Sequence, residues 1–372
     1  MSSSGLQLLL TLILTLLEPE PVDINSASAW ELQSLPGIGE VTADRIVAFR
    51  ETFGPFVDID GLLEVRGIGE STLSGLSGLI SACGFAEPDT THWMPISQPD
   101  SVLLEIVFLD VGQGDAILLL PRDGDPCLVD GGPDEGGPLV PAVIRRLDEL
   151  GVSAVPTLVL THPHSDHAGG LSEVARSRGS SLMLDPLLVH ASPVYERLLQ
   201  TLLDCGAGCR RLTPGDSLFL APQVLVRALY VDGRTAGGRR AGEELSVNDR
   251  GAVLLVECGE LSALLTGDIE EDAERLMTPE LDPVVLLKVP HHGSASSLFD
   301  PFLNALSPQI AVISCGAGNP FGHPHPSALE AYRRRGAAVL RTDREGTIVV
   351  ATDGHSVYHH PFTDGECGET PR

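Results

Sequence analysis

Four side chains able to bind a transition metal fall within six residues, His162-Pro163-His164-Ser165-Asp166-His167. Three imidazoles and a carboxylate suit zinc, and also manganese or iron. A divalent ion held there brings the pKa of bound water toward ~7, which makes hydroxide available at neutral pH. The cluster directly follows a short apolar run at residues 157–160. A strand sends alternate side chains to opposite faces, whereas a turn after a strand aims several at one point. The spacing therefore predicts a strand that ends in a metal-binding turn, holding one or two divalent ions, Zn or Mn.

Distant segments carry further donors. Asp268 follows the apolar pair Leu264-Leu265 and precedes a helical stretch, and His291-His292 closes the run Leu287-Lys288-Val289-Pro290. Lys288 is the one lysine of the chain, against 23 arginines. A slim, mobile ammonium where a planar guanidinium would not serve is expected to neutralise charge on a phosphoryl oxygen. His323 and His325 sit in a proline-flanked loop and are expected to donate to a phosphate oxygen or to protonate a leaving group. Gln113 and Asp115, in a glycine-rich stretch, read either as the rim of a site or as a tight turn between strands. His92, His190, His355, His359 and His360 lack a partner pattern and are read as surface or packing residues.

The six-residue cluster resembles the H-x-H-x-D-H motif of the metallo-β-lactamase superfamily. More narrowly, Phe108-Leu109-Asp110-Val111-Gly112-Gln113-Gly114-Asp115-Ala116, Val129-Asp130-Gly131-Gly132, Leu265-Thr266-Gly267-Asp268, Leu287 to Ser294 and Gly322-His323-Pro324-His325 resemble the hydrolase domain of ComEC-type competence proteins, in family order over residues 102–353. The resemblance implies an α/β fold, an αββα sandwich with its site at one edge. It implies His162 and His164 on one metal, Asp166 and His167 on the other, and Asp268 bridging the two. One of His291 and His292, by preference His292, would complete the first site. Asp130 would orient a ligand histidine from behind, as metal-bound imidazoles require. Where the wider superfamily has a further histidine, ahead of residues 252–257, this chain has Ser246-Val247-Asn248-Asp249-Arg250. Asn248 is similar to the ComEC subgroup and leaves one site short of a nitrogen, which favours a harder ion such as Mn²⁺.

The elements that must position these groups are legible as two regimes. Residues 22–84 hold an internal repeat, in which Leu35-Pro36-Gly37-Ile38-Gly39-Glu40 returns thirty residues later as Val65-Arg66-Gly67-Ile68-Gly69-Glu70. Each copy has a short helical pattern before and after it, and Asn25 and Ser26 are candidate N-caps for the first. Gly37-Ile38-Gly39 and Gly67-Ile68-Gly69 resemble the hairpins of ComEA-type helix-hairpin-helix domains, which implies backbone N–H groups gripping a DNA phosphate. The module is nevertheless acidic, with nine Asp/Glu against three arginines over residues 22–82. DNA binding through it is expected to be weak and strongly salt-sensitive. After a proline-containing linker at 85–101, apolar runs at 103–109, 116–120, 158–160, 253–256, 264–265, 284–287 and 310–313 alternate with helical stretches at 139–150, 171–178 and 326–335, the pattern of a layered α/β domain. This hydrolase domain is expected to run from 102 to 357, followed by a loose polar tail at 358–372.

Composition bounds the rest. A net charge of -27 argues against broad electrostatic attraction to nucleic acid or anionic lipid, so a phosphate-bearing substrate must be held locally. Seven cysteines form no C-x-x-C pair and leave the redox compartment open. Within the N-terminal segment 1–21, the apolar run 6–17 is shorter than the roughly 20 residues of a membrane-spanning helix. It suits a signal-peptide core, although no positive charge precedes it. Export or membrane tethering in a bacterial envelope is the expectation, with the cytoplasm left open. The chain then reads as a metal-dependent phosphodiesterase or nuclease acting on DNA, with Asp166, Lys288 and His323 at the reaction. It implies a possible membrane-channel partner and no nucleotide cofactor. A hydrolase of small or surface-polymer phosphodiesters, or a non-catalytic DNA-docking protein, is the alternative.

Overall fold

The computed structural model describes residues 21–82 apart from 26, 54, 55, 57 and 58, together with 101–134, 140–242 and 245–361. The N-terminal apolar run, Ser26, most of the 85–101 linker, His92 and residues 362–372 lie outside the described residues. The chain divides into two compact units on either side of residues 89–90.

In the first unit, the repeat folds into two hairpins around a small core that includes Ile24, Leu32, Ile46, Leu62 and Leu76. One helical turn, Ala29–Leu32, leads to the first hairpin, and the helix Glu40–Phe53 follows it. A 3-10 segment, Ile59–Glu64, leads to the second, and the helix Glu70–Leu76 follows. The opening helix is capped by Ser28 in a reciprocal box with Glu31, not by Asn25. The Asn25 carboxamide instead holds the Phe56 backbone at both its N–H and its carbonyl. Gly37 and Gly67 have φ of +82° and +108°, a region that disfavours a side chain. A Cβ on Gly37 would lie 3.2 Å from Thr72 Cγ2, and one on Gly67 would lie 3.2 Å from Arg45 Nη1 and 3.9 Å from Thr42 Oγ1. Thr42 and Thr72 are thirty residues apart, like the two glycines, so each hairpin turn packs on the helix start of the other. Arg45 donates to the Arg66 carbonyl, and Arg50 to those of Ile24 and Ala27. Two of the module's three arginines thus hold backbone.

The second unit is a four-layer sandwich. One eight-stranded sheet runs, in spatial order, Val357–Pro361, Ile348–Thr352, Leu104–Phe108, Ile117–Pro121, Cys127–Val129, Thr157–Val159, Leu182–Asp185 and Gly208–Arg211. The other runs Arg234–Thr235, Val224–Val231, Val253–Cys258, Leu261–Leu265, Leu286–Lys288, Ile310–Ile313 and Ala338–Arg341, with Ser217–Ala221 also paired to Val224–Val231. Period-two alternation sets the layers. Ile106 and Phe108 face the inter-sheet core with Val226, Leu254 and Leu286. Val107 turns outward to the helices Ala142–Glu149, Leu171–Ser177 and Pro193–Cys205. Leu287 turns outward on the other sheet, toward Glu271–Met277, Asp300–Leu306 and Pro326–Arg334. The expected loose tail after 357 is corrected over its first residues. Val357–Pro361 pairs antiparallel with Ile348–Thr352, because an edge of the first sheet is open there to a further strand. Among the described residues no helix is long and apolar enough to cross a membrane.

One buried acid gives this unit a pH-dependent stability. Glu274 is fully buried; one of its oxygens accepts from the Phe299 N–H at 2.9 Å and the other has no hydrogen-bond partner. Burial, with the carboxylates of Asp249, Glu271 and Glu270 nearby, pushes its pKa up to about 8 from 4.5. The folded state therefore binds a proton that the unfolded chain releases, and stability falls as pH rises from 4.5 to about 8. Glu274→Gln should flatten this dependence, a difference of roughly 3–5 kcal/mol across the window. Urea midpoints at pH 5 and pH 8 measure it, and an identical pH slope in wild type and variant would disprove it.

Candidate metal centre

The turn after Thr157–Val159 opens at Thr161 and enters the short helix Ser165–Ala168, whose N-cap is His164. Asp130, at φ +59°, stands beneath it: Oδ1 accepts from Thr161 N at 2.8 Å, Oδ2 from Thr161 Oγ1 at 2.7 Å, and Oδ2 lies 2.7 Å from His167 Nδ1. That contact turns His167 Nε2 inward. His292 is turned inward from the opposite strand end, its Nδ1 donating to the Ser314 carbonyl at 2.9 Å. His291, His292 and Gly293 all have positive φ, a strained run of the kind that persists where its surroundings over-determine it.

The Nε2 atoms of His167 and His292 lie 3.2 and 3.3 Å from Asp268 Oδ2, and His292 Nε2 is 3.4 Å from Asp166 Oδ2. Asp166, His167, Asp268 and His292 each offer one ligand atom within 4.8 Å of the others. Beside this cage, His162 Nε2 and His164 Nδ1 stand 3.1 Å apart, and the His162 and His167 rings are 4.1 Å apart. The expected grouping of the last histidine is corrected: His292 stands with Asp166 and His167, not with His162 and His164. His291 stands at the edge of the cage and not among its four donors: its Nδ1 faces Glu270 Oε1 at 3.2 Å, Ser296 Oγ donates to that same oxygen, and its Nε2 lies 3.9 Å from Asp268 Oδ2. Asn248 has a buried Oδ1 without a hydrogen-bond partner, on the loop whose Gly251 packs near His162.

The cage fits a divalent cation on its own chemistry. The Nε2 atoms of His167 and His292 are buried without hydrogen-bond partners. Four aspartates, 115, 130, 166 and 268, stand in and around the cage, while the one ammonium contacts only Asp115 and Asp268, so the carboxylates exceed the fixed cations. Protons take up the balance. Burial would lower His167, but Asp268 and Asp130 hold it well above the usual imidazole value. Burial likewise opposes protonation of His292, yet Asp268 and Asp115 hold its pKa at about 9. Asp166, which burial alone would raise, is held well below the usual carboxylate range by His292 and His167.

Lys288 does not face a substrate. It is 0% exposed at the end of Leu286–Lys288, with its ammonium 2.5 Å from Asp115 Oδ2, 2.8 Å from the Gly267 carbonyl and 3.4 Å from Asp268 Oδ1. Its reach is used on the floor of the cage, which corrects the expected contact with a phosphoryl oxygen. Its partner Asp115, read from the sequence as rim or turn, is buried. A lone lysine and an aspartate in a glycine-rich turn were the only signals that could have paired them. Gly114 brings that turn against the cluster: a Cβ there would lie 2.2 Å from the Asp166 carbonyl oxygen, and Asp115 N donates to that oxygen.

His325 is also corrected. Its Nδ1 lies 2.6 Å from Ser327 Oγ and accepts from Ser327 N, capping the helix Pro326–Arg334. His323 lies near the cage, with its ring 5.5 Å from that of His291 and 6.3 Å from that of His292. Burial and those two rings bring its pKa down to about 4, so at neutral pH it offers an N–H and not a proton to lose. His190, read as a packing residue, lies 5.2 Å ring to ring from His164. Glu270 and Ser296, which orient His291, carried no sequence signal.

Residues 109–317 match the metallo-beta-lactamase superfamily, and residues 18–81 match the helix-hairpin-helix motif. The chain belongs to the metallo-β-lactamase superfamily. It is similar to ComE operon protein 3 of Bacillus subtilis, 30% identical over 263 residues that cover 66% of this chain and 32% of that protein. It is similar also to Recombination protein 2 of Haemophilus influenzae, 31% identical over 245 residues, 65% of this chain and 28% of that one. With the hairpin module, these matches are those of a ComEC-type hydrolase fused to a helix-hairpin-helix domain. The chain spans about a third of the length of these relatives. Among solved structures it is similar to the metallo-beta-lactamase fold protein YhfI of Bacillus subtilis, with 15% identity, a TM-score of 0.44, and coverage of 67% of this chain and 99% of that one.

Proposed function

We propose that this protein is a divalent-metal phosphodiesterase that cleaves DNA, with the hairpin module holding the strand and the buried cage performing hydrolysis. The observation that carries this reading is the pair of unpartnered imidazole nitrogens, on His167 and His292, facing the carboxylates of Asp166 and Asp268. Asp166, His167, Asp268 and His292 would hold one ion. His162 and His164, with fewer donors, would hold a second more loosely. A divalent ion, Zn or Mn, supplies Lewis acidity toward a phosphoryl oxygen and a water-derived nucleophile at neutral pH.

The chain's own residues do the positioning. Asp130 fixes the tautomer of His167, and the Ser314 carbonyl fixes that of His292, so each presents Nε2. Lys288, itself held by Asp115, reaches Asp268 from below. Near the cage, His323 offers a neutral N–H to a phosphate oxygen. Gly39 and Gly69, which lack side chains at two helix starts, leave backbone N–H groups open to DNA phosphates. Contacts of this kind carry no sequence information, and in so acidic a module they should weaken steeply with salt. Export or tethering at the cell envelope, with a membrane channel as partner, is the setting we infer.

The test is hydrolysis of single-stranded DNA, duplex DNA and a chromogenic phosphodiester by the purified protein with Mn²⁺ and with Zn²⁺, using Asp166→Asn as the control for contaminating nuclease. Metal-dependent cleavage of DNA that is lost in Asp166→Asn is expected. Hydrolysis of the chromogenic ester alone would move the substrate to small or surface-polymer phosphodiesters. Silence on all three, with DNA still retarded on a gel, would leave a docking protein.

A further inference from the structure

The loop between Ile310–Ile313 and Pro326–Arg334 puts a phenylalanine ring in solvent beside the metal centre. Phe321 is 66% exposed, and its ring lies 5.9 Å from that of His323 at an interplanar angle of 29°. His323 in turn lies 5.5 Å from His291 and 6.3 Å from His292, so the two rings run from the cage outward. A single exposed apolar side chain is ordinary by itself; what sets Phe321 apart is that its ring is stacked on an imidazole that lies beside the centre.

The loop that carries it is well tied. Asn319 Oδ1 accepts from both Phe321 N and His323 N, at 3.1 and 3.0 Å, while its Nδ2 donates to the carbonyls of His323 and Gly316. Gly316 N donates to Gln113 Oε1, and His325 N donates to the Gly293 carbonyl. One end of the loop is thus bonded to the glycine-rich turn under Asp166, and the other to the turn that carries His292. Phe321 is held at a set position relative to the cage, which is what a recognition surface needs and a solvent-exposed loop tip does not.

We infer that Phe321, continued by His323, is a stacking platform for a nucleobase next to the scissile phosphate. This rests on the reading of the site as a nuclease and adds a residue that recognises bases and not phosphates. Every base has a π face, so such a platform takes any of them. A base paired and stacked in a duplex cannot lie on it without leaving the stack. The platform is a specificity-determining feature, and Phe321 does not touch the reacting atoms.

The experiment compares an oligothymidine with an abasic oligomer of the same length, equal in phosphates but without bases. In wild type, kcat/KM should favour the base-bearing strand by roughly tenfold or more, the usual strength of a base–aromatic stack. Phe321→Ala should bring that ratio toward one, and Phe321→Trp should keep it. Stacking is read separately by the quenching of 2-aminopurine in an oligonucleotide bound to Asp166→Asn protein, with and without Phe321→Ala. Phe321-dependent quenching in a protein that cleaves no DNA supports the platform while the nuclease reading fails. Cleavage with the same substrate ratio in wild type and Phe321→Ala overturns the platform and leaves the nuclease reading standing. Neither cleavage nor quenching overturns both.

Discussion

Asp268→Asn should leave the fold intact and empty the metal centre. Asp268 is 2% exposed, and its Oδ2 sits between the Nε2 atoms of His167 and His292 at 3.2 and 3.3 Å. Asparagine keeps the shape but removes the negative charge, and its NH₂, which cannot bind a cation, can instead donate to the imidazole lone pairs that would. The remaining cage has one carboxylate, Asp166, to hold an ion. Loss of an outer partner of a metal site already costs about 10–100-fold in affinity or activity, so loss of a central carboxylate should cost at least ~100-fold in metal-dependent hydrolysis. Metal content by mass spectrometry should fall in parallel, with an unchanged far-ultraviolet circular dichroism spectrum. A variant that still carries metal and retains activity within tenfold of wild type would remove Asp268 from the centre.

Lys288→Met should have the largest effect on stability. Methionine fills the volume of the side chain, but Asp115, itself 1% exposed, loses the ammonium 2.5 Å away. A carboxylate left buried without its partner costs about 3–5 kcal/mol, whereas replacing both members of a buried pair by apolar groups is often neutral. Lys288→Met alone should therefore lower the urea midpoint steeply, and Lys288→Met with Asp115→Leu should recover much of it. Burial also favours the neutral form of Lys288, but Asp115 and Asp268 outweigh it and hold its pKa above the usual lysine value, so the ammonium is charged at neutral pH. Wild-type stability in Lys288→Met would mean that the ammonium does not hold the floor of the cage. A double variant no more stable than the single one would mean that the packing of the stem, and not the charge pair, is what Lys288 contributes.

Much of the frame was legible in the residues. The apolar runs at 103–109, 116–120, 158–160, 253–256 and 310–313 fall on strands, since runs that short suit strands buried on both faces of a covered sheet better than helices. The helices at Ala142–Glu149, Leu171–Ser177 and Pro326–Arg334 follow stretches with a helical period. Strands such as Gly208–Arg211 and Ser217–Ala221 left little trace, since they lie near sheet edges, where water replaces one neighbour and the apolar pattern weakens.

The sequence by itself determined which chemistry was possible: imidazoles and carboxylates closely spaced after a strand, glycines where two backbones meet, and a repeat thirty residues long. Only the tertiary structure decided which donors share a centre. His291 and His292 are neighbours in the chain, yet successive positive φ values send one to Glu270 and the other into the cage. His325 has the same side chain as His323 and a similar setting, but it lies at a helix start, where an unpaired N–H takes its ring. Lys288 has its direction set by strand register, which points it with Leu286 into the sandwich and places its ammonium against Asp115, far away along the chain. Residue type sets what a group can bind. The direction in which it points is a property of backbone torsions and of packing between segments that the chain order does not bring together.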